Sequence, residues 1–141
     1  MDDSSTTDIL IVDDDLAIQR LISTLLRRVG YTCEAMADGA QALRRIESAA
    51  PRVLLLDLMM PKVNGFEVLA EIAERHPHLL ARIIILTAAS ARVLEQIAPY
   101  RDKICRLIRK PFDIAELMVA IEECARGGIS GTAETQRVDQ P

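Results

Sequence analysis

Five short aliphatic runs alternate along the chain with longer segments of helical period. They fall at 8–12, 31–36, 53–57, 82–87 and 104–109, and several are almost unbroken Ile, Leu and Val. A half-exposed strand would alternate polar and apolar residues, whereas a continuous run predicts a parallel strand covered on both faces. Between the first two runs, Ile18, Leu21, Ile22, Leu25, Leu26 and Val29 recur at intervals of three and four, with Gly30 placed to end the helix. Ala42, Leu43 and Ile46 form a weaker second stripe, and Phe66, Leu69, Ile72 and Ala73 a third that ends near Pro77. A short fourth helix over 91–98 stops before Pro99. Ile114, Leu117, Met118, Ile121 and Ala125 line a fifth, closed by Gly127 and Gly128. Strict alternation of strand and helix predicts a doubly wound α/β parallel sheet with right-handed crossovers.

Length and charge narrow the function. The chain has 141 residues, half of them hydrophobic, enough for one domain with its own core. A net charge of −4 supplies no basic field for nucleic acid or an anionic membrane. No apolar run approaches the roughly 20 residues that span a bilayer. The acidic, polar start "MDDSSTTD" is the reverse of a secretory signal, so a cytoplasmic protein is expected. Cys33, Cys105 and Cys124 are widely spaced and odd in number, and read as reduced core or helix thiols in that compartment. His76 and His78 read as a solvated helix end. Three parts are expected: a polar segment over 1–7, a folded domain over 8–127, and a tail or linker over 128–141.

Ligands of an open α/β sheet sit beyond the carboxyl ends of its strands, where the winding reverses. Asp13, Asp14 and Asp15 follow the first run, Asp57 ends the third, Thr87 the fourth, and Lys110 follows the fifth. Each alone has an ordinary explanation, such as a helix cap or a solvated charge. Together they put carboxylates, a hydroxyl and an ammonium on one rim. The acids of the first and third strands would repel without a cation, and a hard ion that prefers oxygen and keeps its waters points to Mg²⁺. Metal and lysine around one carboxylate make a phosphoryl-transfer constellation, the carboxylate attacking in line. Asp57 is the best nucleophile, because the most hydrophobic strand precedes it and holds it rigidly.

Four ordered segments, "ILIVDDD", "LLLDLMMPKVNGFEVL", "IIILTA" and "RKPF", resemble the CheY-like receiver domain of two-component response regulators over roughly residues 8–127. The resemblance implies a flavodoxin-like fold of five strands, in the order 2-1-3-4-5, flanked by five helices. It implies that Asp57 accepts a phosphoryl group from a sensor histidine kinase or a histidine phosphotransfer protein. Asp13, Asp14, Asp57 and the backbone carbonyl of Met59 then hold Mg²⁺, while Thr87 and Lys110 bind the phosphoryl oxygens. Asp15 is left to capping. The Lys110–Pro111 bond is commonly cis in such domains, and Pro61 and Gly65 match the loop after the phosphorylated strand, Gly65 allowing a turn. Met59 and Ala89 stand where phosphoryl lifetime is tuned. Many receivers carry an aromatic ring three residues before the lysine; here that residue is Leu107, so the switch needs another repacking.

Two rival readings have definite requirements. A haloacid-dehalogenase-type phosphatase shares the aspartyl nucleophile but needs a second acid two residues on, where Met59 stands. An adaptor receiver would work without phosphorylation, and the complete acid, hydroxyl and lysine set speaks against it. A turnover enzyme is therefore not expected. Neither is direct DNA binding, since no helix-turn-helix or basic recognition face is present. The output is expected to pass to a downstream protein or a C-terminal effector domain.

Overall fold

The computed structural model describes residues 7–60, 64–88 and 90–127. Pro61, Ala89 and most of the expected terminal segments, 1–6 and 128–141, lie outside the described residues. The elements are β1 (Ile9–Val12), α1 (Leu16–Arg28), β2 (Cys33–Met36), α2 (Gly39–Ser48), β3 (Val53–Asp57), α3 (Gly65–Arg75), β4 (Ile83–Thr87), α4 (Ala91–Ile97), β5 (Arg106–Arg109) and α5 (Ile114–Ala125). All neighbouring strands pair in parallel, in the order β2-β1-β3-β4-β5. Two 3-10 segments, Pro77–Arg82 and Ala98–Tyr100, follow α3 and α4. Pro77 opens the first, so the chain tightens after α3 instead of leaving directly for β4.

Every residue of β1, β3 and β4 is buried, as the unbroken aliphatic runs predict, whereas edge strands β2 and β5 are only partly covered. Alternation within the central strands sorts their side chains to opposite faces. Leu10, Val12, Leu54, Leu56, Ile83 and Ile85 pack with Ala42, Ile46, Val68, Leu69, Ile72, Val93 and Ile97 of α2, α3 and α4. Ile9, Ile11, Val53, Leu55, Ile84 and Leu86 pack with Ile22, Leu26, Leu117, Ala120, Ile121 and Cys124 of α1 and α5.

Local chemistry sets where the helices begin. Asp15, Asp38, Asn64, Ser90 and Asp113 each cap a helix by accepting backbone N–H groups. At α3 the Glu67 side chain returns the bond to the Asn64 N–H, completing a capping box. Gly30 has φ +98°, a left-handed conformation suited to glycine just beyond α1.

The cysteines do not follow the sequence expectation. Cys105 and Cys124 form a disulfide, with Cα atoms 6.2 Å apart, and Cys33 alone keeps a free thiol. The bond joins the segment entering β5 to the last turn of α5. These cysteines are 19 residues apart, and only the return of α5 across the sheet brings them together.

Candidate functional site

Strand register builds the site. Val12 pairs with Leu56, so Asp13 and Asp57 leave adjacent strands side by side. Asp57 pairs with Leu86 and Thr87 with Arg109, which puts Thr87 and Lys110 on the same rim. The Lys110 N–H donates to the Thr87 carbonyl at 2.9 Å, carrying the β4–β5 pairing one residue further. The Lys110–Pro111 bond is cis.

Asp13 is fully buried and held at three points. Its Oδ1 accepts the Asp15 N–H at 2.9 Å, its Oδ2 accepts Lys110 Nζ at 2.8 Å, and its carbonyl accepts Gln19 Nε2 at 2.6 Å. Asp57, 4% exposed, accepts the Met59 N–H at 3.1 Å on Oδ1 and faces Lys110 Nζ at 3.4 Å on Oδ2. The lysine therefore leans toward Asp13. Carboxylate oxygens of Asp13, Asp14 and Asp57 converge within 4.8 Å of one another. Asp14 is exposed, and among the described residues nothing holds its carboxylate. Asp15 is not part of this group and serves as the α1 cap, its Oδ1 accepting the Ala17 and Ile18 N–H groups.

Charge and burial oppose one another here. Burial raises the Asp57 pKa above its ordinary value, and the neighbouring Asp13 charge raises it further; the Met59 N–H and Lys110 pull it down without prevailing. Burial alone would lower the Lys110 pKa, but the Asp13 bond and the Asp57 charge outweigh it and hold the ammonium charged. One lysine thus answers two buried carboxylates, leaving an anionic excess that a divalent cation would neutralise. Three carboxylates and no soft ligand suit a hard, oxygen-seeking ion. Thr87 Oγ1 is buried and has no hydrogen-bond partner among the described residues.

Two features escaped the sequence reading. Gly65 is required by close approach and not by a left-handed turn: an added Cβ would lie 2.4 Å from the Asp57 carbonyl oxygen and 2.4 Å from Leu58 Cα. Its N–H also bonds the Leu58 carbonyl at 3.0 Å, seating the start of α3 against the end of β3. Gln19 is the other; a polar residue between Ile18 and Ile22 is the only sign of it in the sequence. Leu107 is partly buried and packs, like Leu94 and Tyr100, against the core shared by α2, α3 and α4.

Residues 9–122 match the family model described as response regulator receiver domain. The chain is 36% identical over 112 residues to the DNA-binding transcriptional regulator NtrC of Escherichia coli, covering 79% of this chain and 23% of that protein. It is 36% identical over 118 residues to the response regulator MprA of Mycobacterium ulcerans, covering 84% of this chain and 50% of that one. It thus spans half or less of the length of these curated relatives. Its fold superposes on a CheY-like response regulator receiver domain protein from Methanospirillum hungatei with a TM-score of 0.76 at 28% identity, covering 86% of this chain and 94% of that one.

Proposed function

We propose that this chain, which belongs to the response regulator receiver domain family of two-component signalling, is a phosphoacceptor switch in which Asp57 receives the phosphoryl group. One observation carries the reading. Thr87 keeps a buried hydroxyl with no partner among the described residues, one residue beyond the position paired with Asp57. An unsatisfied buried hydroxyl costs about 1–3 kcal/mol, and an oxygen of a phosphoryl group on Asp57 would supply the missing partner.

The donor is a phosphohistidine of a sensor histidine kinase or phosphotransfer protein. The Asp57 carboxylate attacks phosphorus, forming a P–O bond as the P–N bond breaks with its electron pair returning to the imidazole. The product is a mixed anhydride. Asp13, Asp14, Asp57 and the Met59 carbonyl would hold Mg²⁺, which when bound offsets negative charge on the phosphoryl oxygens. Lys110 supplies a second positive charge, and exchanges its bond to Asp13 for one to the phosphoryl group. Burial of Asp13, Asp57 and Thr87 limits water at the reacting atoms. Met59, two residues after the nucleophile, has no proton to give, which disfavours a turnover phosphatase.

Thr87 and Lys110 would report phosphorylation to the ends of β4 and β5. With Leu107 in place of an aromatic residue, the response passes through repacking against α4. The output goes to a downstream protein or an effector domain; the matched relatives include transcriptional regulators. The test is incubation with phosphoramidate or acetyl phosphate and Mg²⁺, read by intact mass. Wild type should gain one phosphoryl group and Asp57→Asn none, with the folded circular dichroism spectrum kept. Equal labelling of both proteins would refute the assignment.

A further inference from the structure

The three acids at the end of β1 are held very unequally. Asp13 is anchored through both carboxylate oxygens and its carbonyl. Asp15 is anchored as a helix cap. Asp14 lies between them, and no described residue holds its carboxylate. Its direction therefore depends on the backbone alone, above all on the peptide plane joining Asp13 to Asp14. The oxygen of that peptide is the Asp13 carbonyl, and Gln19 Nε2 bonds it at 2.6 Å.

We propose that Gln19 is a positioning residue for divalent-cation binding: from α1 it clamps the Asp13–Asp14 peptide and so aims Asp14 at the ion. This inference rests on the metal-binding part of the reading above. Three features make the clamp effective. Gln19 lies on α1, whose start is fixed by the Asp15 cap and whose Ile22 and Leu26 are in the core, so its backbone has little freedom. Its donated bond is short and partly shielded from water. The loop it restrains is brief, running from the end of β1 at Val12 to the start of α1 at Leu16.

Gln19→Met retains length and helix propensity but removes the donor. Losing one neutral hydrogen bond should weaken Mg²⁺ binding about fivefold, measured by following backbone amide shifts as MgCl₂ is added. A role only in folding would shift thermal stability and leave a uniform loss. A role through Asp14 predicts non-additivity: adding Gln19→Met to Asp14→Asn should leave the affinity of the single Asp14→Asn variant unchanged. A metal-free measurement completes the test. Hydrogen exchange at the Asp15 amide, which bonds Asp13 Oδ1, should rise about fivefold in Gln19→Met while the Ile22 and Leu26 amides keep their protection. Unchanged Mg²⁺ affinity in Gln19→Met, or the same loss with and without Asp14→Asn, overturns the proposal. Failure of the wild-type protein to respond to Mg²⁺ would instead refute the metal reading, leaving the clamp itself to be decided by the metal-free exchange.

Discussion

At the amino-terminal edge of the sheet, Arg45 donates to both Glu34 oxygens and to Thr7, while its remaining nitrogen reaches the Ala49 carbonyl. Beside this network Asp8 and Thr32 exchange backbone-to-side-chain bonds, and Arg52 ties Asp8 to the carbonyl of Ala125 at the end of α5. At the carboxyl edge of the same sheet, Asp13, Asp14 and Asp57 crowd together; among the described residues Lys110 is the only cation that pairs with Asp13 and Asp57, and the Thr87 hydroxyl has no partner. The two edges share strands and similar residue types, yet one is closed and the other incomplete. A closed network serves the fold. A buried excess of charge costs stability, and is retained where a ligand completes it.

The largest effect should come from opening the closed edge. Arg45→Met leaves Glu34 and the buried Thr7 hydroxyl without their shared donor. With the Arg45 side chain only 15% exposed, we expect a loss of about 2 kcal/mol in urea unfolding, with phosphoryl labelling retained. Loss of labelling without loss of stability would break the division between edges.

Neutralising the open edge should do the reverse. Asp57→Asn removes the repulsion with Asp13 and the cost of burying its charge, and the Asn side chain can still accept the Met59 N–H. Stability at neutral pH should rise by roughly 1 kcal/mol as labelling disappears. A destabilised variant would show that the carboxylate serves the fold.

The smallest effect concerns acid. The Arg45 hydrogen bond lowers the Glu34 pKa from 4.5, with burial opposing it and Thr7 assisting. Its stabilisation is complete above the unfolded value and is lost as pH falls through the lowered folded value. Because the Glu34 side chain is 38% exposed, the loss should be under about 1 kcal/mol. It appears as a shallower acid dependence of the urea midpoint in Arg45→Met than in wild type. Parallel curves would remove Glu34 from the stabilising network.

Legibility in the sequence followed the range of the cause. The runs giving β1, β3 and β4 are strand signals in themselves, because both faces are buried and no polar residue interrupts them. Asp13, Asp57 and Thr87 are readable because each ends or follows such a run, Lys110 because it follows the weaker run of β5, and the doubly wound architecture brings those ends to one rim. The edge strands were less legible: the run at 31–36 contracts to Cys33–Met36 and that at 104–109 to Arg106–Arg109, since partial burial relaxes the pattern. The 3-10 segment after α3 was missed because Pro77 marks a helix end equally well.

By itself, then, the chain's pattern determined the alternation of strand and helix, the covering of the central sheet and the chemical types gathered at one rim, because these follow from periodicity and from residues adjacent to each strand. Only the tertiary structure decided that Lys110 leans to Asp13, that Gln19 reaches back to that residue's carbonyl, that Gly65 admits the close approach of β3, and that Cys105 meets Cys124. Those contacts depend on how separate elements cross in space, at distances where a single bond length matters and sequence spacing carries no information.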